Sequence, residues 1–126
     1  MQAAKNLKRL SLGLLTEKQQ DFVTRAYSHD RTLAVLGAGF GKTITTLAAV
    51  SELLEDRELS RVLIIAPARP ARDVWPVEYK GWELPSALKL AYAGGGDEAK
   101  RRAAFQSDAN VVVINFENVV WAIRNG

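Results

Sequence analysis

The sequence contains no cysteine and a single histidine, and these two absences exclude several kinds of site. Without cysteine there is neither a disulfide framework nor a thiolate metal site. The one histidine, His29, stands beside Asp30 in a predicted turn and has no second histidine to share a metal ion. We therefore interpret His29 as a solvated loop residue rather than a catalytic or metal-binding one.

Long apolar runs are also missing. No stretch approaches the ~20 apolar residues that a membrane-spanning helix needs, and charges interrupt residues 1–15 too often for a signal peptide. We therefore expect an intracellular, cytoplasmic protein. Its 126 residues, 48% of them hydrophobic and 25% charged, are typical of one globular domain with a core of its own. The net charge of +3 permits nucleic-acid binding without arguing for it.

A glycine-rich loop between a predicted strand and a predicted helix is the most informative feature that the chain does have. It reads, in order, Gly37, Ala38, Gly39, Phe40, Gly41, Lys42 and Thr43. An apolar run at residues 32–36 precedes it, and helical periodicity over residues 44–54 follows it. Alternating glycines let successive backbone N–H groups face one point, where the helix N-terminus adds a partial positive charge. This arrangement is typical of a phosphate-binding loop and predicts ATP as the ligand.

Two side chains extend this interpretation. Lys42 supplies a positive charge for the β- and γ-phosphates, and the Thr43 hydroxyl suits Mg²⁺, so we predict catalytic roles for both and a metal contact for Thr43. The usual motif has a glycine where this chain has Leu36. Glycines alone would also fit a plain turn, but Gly-Lys-Thr between a strand and a helix favours phosphate binding.

The remaining periodicities predict alternating helices and strands. Helices are expected at residues 16–28, 44–54, 70–82, 98–106 and from 119 onward, and strands at 33–36, 62–66, 88–92 and 111–114. Thr16 and Gln19 resemble a capping box at the first helix. The continuous apolar runs at 62–66 and 111–114 suggest strands that are buried on both faces, and hence a parallel sheet. The pattern predicts an open, mostly parallel, doubly wound α/β domain with flanking helices.

In such sheets, ligands bind at the carboxyl ends of the strands. Four segments follow predicted strands and should share one edge: 37–43, 67–72, 93–97 and 115–118. Several cations lie in or near them, namely Arg69, Arg72, Lys100, Arg101 and Arg102. A nucleotide loop that shares an edge with cations is what a motor gripping a polyanion would need.

The same segments occur in the order seen in superfamily-two helicases, and the chain resembles most closely the Swi/Snf-type DNA translocases, especially phage-encoded members. Residues 66–78 look like the second motif of that group, and residues 15–19 are similar to its first motif. The turn at Gly94 and Gly95 followed by Arg101, together with residues 113–118, resembles later motifs that touch the DNA backbone. The resemblance covers residues 14–124, nearly the whole chain.

This resemblance implies a partial RecA-like P-loop lobe over residues 15–126, preceded by an extension at 1–14. It implies that ATP and Mg²⁺ are held by Gln19, Gly37, Gly39, Phe40, Gly41, Lys42 and Thr43, with Gln19, rather than Gln20, reading the adenine. It implies nucleic-acid contacts, with DNA favoured, at Ala68, Arg69, Arg72, Gly94, Gly95, Arg101 and Asn115. Arg101 and Arg102 could equally be solvated, and Trp75 and Trp82, seven apart, fit core packing on one helix face. Glu117 is interpreted as a helix-dipole partner.

The carboxylates that ATP hydrolysis requires are missing. Hydrolysis of this type needs an acidic residue after a buried strand and a carboxylate that orients water. In the resembling family, an Asp-Glu pair follows the segment that corresponds to 113–118, whereas here the last strand runs into the neutral Asn115. Asp97 and Glu98 follow a glycine turn in the wrong order along the chain. We therefore expect weak Mg·ATP binding and negligible hydrolysis by this chain alone.

Two interpretations of the whole stay open. The chain is either the front piece of a longer helicase-type ATPase motor, or a standalone protein- or DNA-binding module that has lost hydrolysis. Missing sheet strands would leave an exposed edge, which predicts the remaining motor segments, a companion chain or self-association as partners. A small phosphotransferase fits less well, because it would need an arginine-rich lid and the only dense basic cluster is 100–102.

Overall fold

The computed structural model describes residues 10–11, 15–29, 31, 41–85 and 87–125. The elements are, in chain order, β1 (Leu10–Ser11), α1 (Glu17–Ser28), α2 (Lys42–Glu55), β2 (Val62–Ala66), α3 (Ala68–Asp73), α4 (Trp75–Gly81), β3 (Trp82–Glu83), β4 (Leu90–Tyr92), α5 (Glu98–Gln106), β5 (Val111–Asn115), a 3-10 turn (Phe116–Asn118) and α6 (Val119–Asn125). The strand predicted at 33–36 lies outside the described residues. None of the helices described is long and apolar enough to cross a membrane.

A parallel sheet forms the centre of the fold. Its strand order is β2-β5-β4, so the last of the three along the chain lies in the middle. The register pairs Val62 with Val111 and Ala66 with Asn115, while β4 joins the other side of β5. Helices lie between these three strands along the chain, as the crossover connections of a parallel sheet require. The predicted open parallel α/β architecture is confirmed.

The two long apolar strands differ in burial. All five residues of β5 are buried, as the sequence predicts for a central strand. In β2, however, Leu63 and Ile65 are 48% and 45% exposed, whereas Ile64 and Ala66 on the other face are buried. The prediction that β2 is buried on both faces is therefore wrong for the part of the chain described. An apolar run specifies a strand, but the elements packed against it decide how many faces are covered.

The first helix follows its predicted capping box. The Thr16 Oγ1 accepts a hydrogen bond from the Gln19 backbone N–H at 3.3 Å, and the Gln19 Oε1 accepts from the Thr16 N–H at 2.7 Å. Both orphan donors at the helix start are thereby satisfied. The second role proposed for Gln19, adenine reading, thus falls on a side chain whose position is already fixed.

The helix predicted at 70–82 is two helices. It begins earlier than predicted, at Ala68, and is interrupted at Val74 between α3 and α4. Pro76 explains the break, because it lacks the N–H that a continuous helix would use to bond the carbonyl four residues earlier. After the interruption, α4 contacts α2 as well as α3.

Trp82 is not on a helix. It opens β3, which pairs in parallel with β1, so Leu10 lies opposite Trp82. Trp75 and Trp82 therefore do not share a helix face, although both are half-buried against the core, as the packing interpretation expects. The Trp82 indole N–H donates to the Glu78 carboxylate at 2.7 Å, which satisfies its polar end.

Two apolar clusters meet at α2. Its C-terminal half contributes Val50 to the cluster beneath the sheet, which contains Ile64 and Val111. Its N-terminal half contributes Ile44 and Leu47 to the cluster shared with α1. Packing on both sides fixes the axis of α2, and with it the direction in which its N-terminus points.

Candidate nucleotide and nucleic-acid site

The described end of the glycine loop is the first turn of α2. Gly41 caps the helix with φ 65°, in the left-handed region that glycine adopts without steric cost. Thr45 donates both its N–H (3.0 Å) and its hydroxyl (2.7 Å) to the Gly41 carbonyl. Lys42 is exposed and Thr43 is half-buried. The other predicted loop ligands lie outside the described residues: Gly37, Gly39 and Phe40.

Gln19 lies directly against this turn. Its side chain is buried, and a Cβ placed on Gly41 would come within 2.6 Å of the Gln19 Nε2. Gly41 is therefore required twice, by its dihedral angle and by this close approach. The neighbouring Gln20 instead donates its Nε2 to the Leu15 carbonyl at 2.8 Å. The structure thus brings Gln19, and not Gln20, to the end of the loop.

The cavity of about 500 Å³ between α1 and α2 is a poor match for phosphates. It is lined by Ala48 and by the carboxylates of Glu52 and Glu55, which would repel an anion. Ala48 is also six residues beyond Lys42, or about 9 Å along a helix axis. The cavity therefore gives no support to phosphate binding, which remains a prediction for the helix N-terminus.

Three of the four predicted ligand segments share one edge of the sheet. Because β2, β4 and β5 are parallel and in register, the residues that follow them leave the sheet on the same side. These are the segments 67–72, 93–97 and 115–118. Of the fourth segment, residues 41–43 are described.

The first of these segments presents its charges to solvent. Ala68 and Arg69 are exposed at the start of α3. Arg72 is exposed as well, but its guanidinium forms two hydrogen bonds of 2.8 Å with Asp73. That contact lowers the pKa of Asp73, yet such an exposed pair is weak enough for a phosphate to replace the carboxylate.

The glycine turn after β4 is sterically specified. Gly95 has φ 84°, and a Cβ on Gly94 would overlap the ring of Tyr92. The Gly95 carbonyl accepts two hydrogen bonds, from the Arg101 Nη1 at 2.6 Å and from the Asn118 Nδ2 at 3.1 Å. The turn is therefore tied to α5 and to the end of β5 at the same time.

Asn115, at the end of β5, is buried and held from both sides. Its Nδ2 donates to the Glu117 carboxylate at 2.6 Å, and its Oδ1 accepts from the Asn118 Nδ2 at 2.7 Å. The structure thus gives Glu117 a definite partner, which the dipole interpretation does not include. The amide plane of Asn115 is fixed relative to the strand end.

Arg101 and Arg102, adjacent in sequence, point into different surroundings. Arg101 is only 8% exposed, with its guanidinium 4.6 Å from the centre of the Trp121 ring. Arg102 is half-buried and pairs with Glu98 at 3.1 Å, lying 5.7 Å from the same ring. Nothing in the order of residues distinguishes the two arginines; their surroundings do.

Comparison with known proteins now adds a family. Residues 2–124 match the family described as "Type III restriction enzyme, res subunit". The chain belongs to this family. It is a helicase-like ATPase-family domain, as the order of its motifs predicts. It is also 30% identical over 112 residues to "Putative protein p41" of Acyrthosiphon pisum secondary endosymbiont phage 1, which covers 81% of this chain and 24% of p41. The chain therefore spans about a quarter of the length of this curated relative.

The Asp97 and Glu98 carboxylates of this helicase-like domain form local hydrogen bonds. The Asp97 carboxylate caps α5 by accepting from the Lys100 N–H at 3.2 Å. Glu98 accepts from the Trp121 indole and from Arg102, both at 3.1 Å. Within the described ranges there is no cluster of three residues able to hold a metal ion. The prediction of Thr43 as the Mg²⁺ contact remains a prediction.

Sequence reasoning gave no individual role to three residues at the edge of this helicase-like domain, Tyr92, Asn118 and Trp121, although Asn118 lies in the predicted segment 115–118. Of the three, Asn118 was the easiest to propose from the sequence, since it stands three residues after Asn115 in a polar stretch between a strand and a helix. Trp121 becomes relevant only when α6 packs across α5, where Phe105 also meets its ring at 6.0 Å. No sequence spacing encodes such a contact.

Proposed function

We propose that this chain is the ATP-binding portion of a nucleic-acid motor lobe, of the Swi/Snf type that its motifs resemble. The observation that carries the proposal is the contact between Gln19 and Gly41. It brings together the residue expected to read adenine and the loop expected to hold phosphates. The similarity to p41 favours a phage gene acting in a bacterial cell.

In this proposal the loop glycines, Gly37, Gly39 and Gly41, offer their N–H groups to the phosphates. Lys42 neutralises the β- and γ-phosphates, and Thr43 binds Mg²⁺. Phe40, between Gly39 and Gly41 in the sequence, is proposed to contact the nucleotide as part of the same loop. A carboxamide oxygen can accept two hydrogen bonds, so the Gln19 Oε1 can bridge the Thr16 N–H and an adenine amino group.

The nucleic acid, with DNA favoured, runs along the carboxyl edge of the sheet. Exposed Ala68 and Arg69 begin α3 at that edge, and Gly94 and Asn115 lie at the neighbouring strand ends. Contacts of this kind go to the sugar-phosphate backbone and are largely independent of sequence. Arg72 is proposed to contact a backbone phosphate when its ion pair with Asp73 opens.

Hydrolysis requires groups from beyond these residues. The family is one of ATPases, but β5 ends in Asn115 and the nearby carboxylates cap or bridge helices. We therefore propose that the remaining motor segments, or a companion chain, supply the catalytic carboxylates. The chain alone binds Mg·ATP and turns it over negligibly.

Nucleotide binding is tested by thermal unfolding with and without Mg·ATP, because a ligand that binds only the folded state raises the unfolding temperature. Lys42→Ala should weaken ATP affinity about tenfold or more, since a charged hydrogen-bonding contact is lost. Lys80→Ala is the matched control, because Lys80 is an exposed lysine on α4. Equal ATP affinity in the two variants would contradict the proposal.

Turnover is measured separately, with and without DNA. We expect phosphate release by the purified chain to stay at background in both conditions. Robust DNA-stimulated hydrolysis would show that the chain carries its own carboxylates and would overturn the incomplete-site proposal.

The alternative, a binding module that no longer uses nucleotide, is favoured by one feature. Leu63, Ile65, Val120 and Ile123 are exposed, and an apolar groove of about 190 Å³ runs between Leu63 and Ile123. We call these four residues the apolar face. If partner or DNA binding is unchanged by ATP and by Lys42→Ala, the binding module is the better description.

A further inference from the structure

Arg101 is a buried charge that neither of the roles considered so far explains. Burying a guanidinium costs free energy unless its donors and its charge are compensated. Here the Nη1 has the Gly95 carbonyl at 2.6 Å, and the centre of the Trp121 ring lies 4.6 Å from the guanidinium carbon. The Nε is buried with no hydrogen-bond partner among the described residues. A solvated or phosphate-binding arginine would show the opposite pattern, with its donors at the surface.

The Gly95 carbonyl is the point where this arginine acts. It accepts from Arg101 on α5 and from Asn118 in the turn after β5, so two elements hold one peptide group. Gly95 is in the left-handed region, and its peptide plane has no side chain to restrain it. Asn118 also holds Asn115, which links the glycine turn to the end of β5.

We propose that Arg101 is a positioning residue that sets the Gly94–Gly96 turn against the end of β5 and does not itself contact nucleic acid. The inference rests on the proposed function, because the glycine turn and the segment 115–118 after β5 are the two parts of the sheet edge that the proposal offers to one DNA strand. Arg101 keeps the spacing between them fixed before the strand arrives. Binding then does not have to order a flexible glycine turn, which would otherwise weaken it.

Trp121 completes this arrangement. Its ring packs on the buried guanidinium, and its indole N–H donates to Glu98 at 3.1 Å. An arginine stacks on an aromatic face and reaches a carbonyl with the same planar group, whereas lysine offers only a compact ammonium. Arg101→Lys therefore keeps the charge and removes the geometry.

The experiment compares Arg101→Lys with Arg102→Lys in the full chain, using a fluorescently labelled DNA duplex as the probe. Affinity is measured over a series of salt concentrations, and hydrogen exchange is followed at the Ala93 amide, which donates to the Val113 carbonyl at 2.8 Å next to the glycine turn. For Arg101→Lys we expect about tenfold weaker binding with an unchanged salt slope, because no phosphate contact is lost. Exchange of the Ala93 amide should become about tenfold faster, while the global unfolding temperature changes little. Arg102→Lys should match wild type in both measurements.

Arg101→Ala separates positioning from direct contact. If Arg101 binds a phosphate, this variant lowers the salt slope by about one contact and Arg101→Lys restores binding; that result overturns the inference. Unchanged exchange of the Ala93 amide in Arg101→Lys overturns it as well. Should the arginine variants fail to fold, Asn118→Ala removes the other donor to Gly95 and must accelerate the same exchange. If wild type binds no DNA while exchange still accelerates, the proposed nucleic-acid function fails and the positioning of the turn by Arg101 stands.

Discussion

At the scale of single residues, the candidate site depends on backbone conformations that only glycine adopts easily. Gly95 has φ 84°, so a side chain there is strained even though nothing lies within 4 Å of its Cβ position. We expect Gly95→Ala to lower the free energy of unfolding by about 1–2 kcal/mol. Urea denaturation monitored by tryptophan fluorescence measures the change.

The next residue provides the control. Gly96 also has open space where a Cβ would lie, but its φ is outside the left-handed region. Gly96→Ala should therefore change the free energy of unfolding by less than about 0.5 kcal/mol in either direction. Equal losses for the two variants would mean that side-chain crowding, and not the dihedral angle at Gly95, determines the cost.

At the scale of elements, what the sequence predicts well is local. The capping box at Thr16 and the helix at Glu98–Gln106 depend on residues a few positions apart, and both appear where predicted. Periodicity misses the helix break at Val74, because the apolar pattern continues through Pro76 without interruption. The exposure of Leu63 and the pairing of Leu10 with Trp82 depend on distant partners, which periodicity cannot specify.

In the candidate site, too, residues in contiguous motifs could be predicted, whereas contacts between distant elements could not. Gly41, Lys42 and Thr43 could be chosen from a motif, because a phosphate loop is a contiguous stretch of chain. That Gln19 rather than Gln20 faces the loop could be proposed from the resemblance of residues 15–19 to the family's first motif, together with the spacing of Gln19 from Leu15. The hydrogen bond from Arg101 to Gly95, in contrast, needs the orientation of α5 against α6, and only the folded chain contains it.

The contact between α5 and α6 should depend on pH. The Trp121 indole N–H, followed by Arg102, stabilises the charged form of Glu98 and lowers the pKa of that carboxyl below its ordinary value of 4.5. Because the folded-state pKa is the lower one, the stabilisation is fully present above the unfolded value and is lost as pH falls through the folded value. We therefore expect Glu98→Gln to be less stable than wild type near neutral pH, and the two to converge in acid.

Chemical denaturation at a series of pH values checks this expectation. Trp121→Phe removes the largest cause of the shift, the indole N–H, while keeping an aromatic ring beside Phe105. In the Trp121→Phe background, Glu98→Gln should alter the pH dependence less than it does in wild type. A Glu98→Gln curve that stays parallel to wild type down to low pH would show that the Glu98 contacts are too solvent-screened to contribute.

At the scale of the whole molecule, the exposed apolar face and the proposed incomplete ATP site have one common explanation. The described sheet buries one face of β2 and leaves Leu63 and Ile65 exposed on the other. In the proposed function, the carboxylates for ATP hydrolysis also come from other polypeptide. Additional polypeptide that adds strands and helices beside β2 would cover the apolar face and supply the carboxylates. The relative p41 is about four times as long as the matched segment. In the described structure, the apolar side chains of Leu63, Ile65, Val120 and Ile123 on β2 and α6 are exposed.

That exposure predicts concentration-dependent self-association of the isolated chain. Burying exposed leucine and isoleucine side chains stabilises an interface by about 25 cal/mol for each Å² removed from water. Light scattering should show a mass that rises with protein concentration. The double substitution Leu63→Thr and Ile65→Thr should shift it toward the monomer, while threonine supplies a β-branched side chain that suits a strand. Leu59→Thr is the matched control, since Leu59 is 40% exposed but lies outside the apolar face. Because Lys42 and Gln19 are on other elements, ATP affinity should be the same in all three proteins. A wild-type chain that stays monomeric at every concentration would contradict self-association and leave a companion polypeptide as the partner of β2.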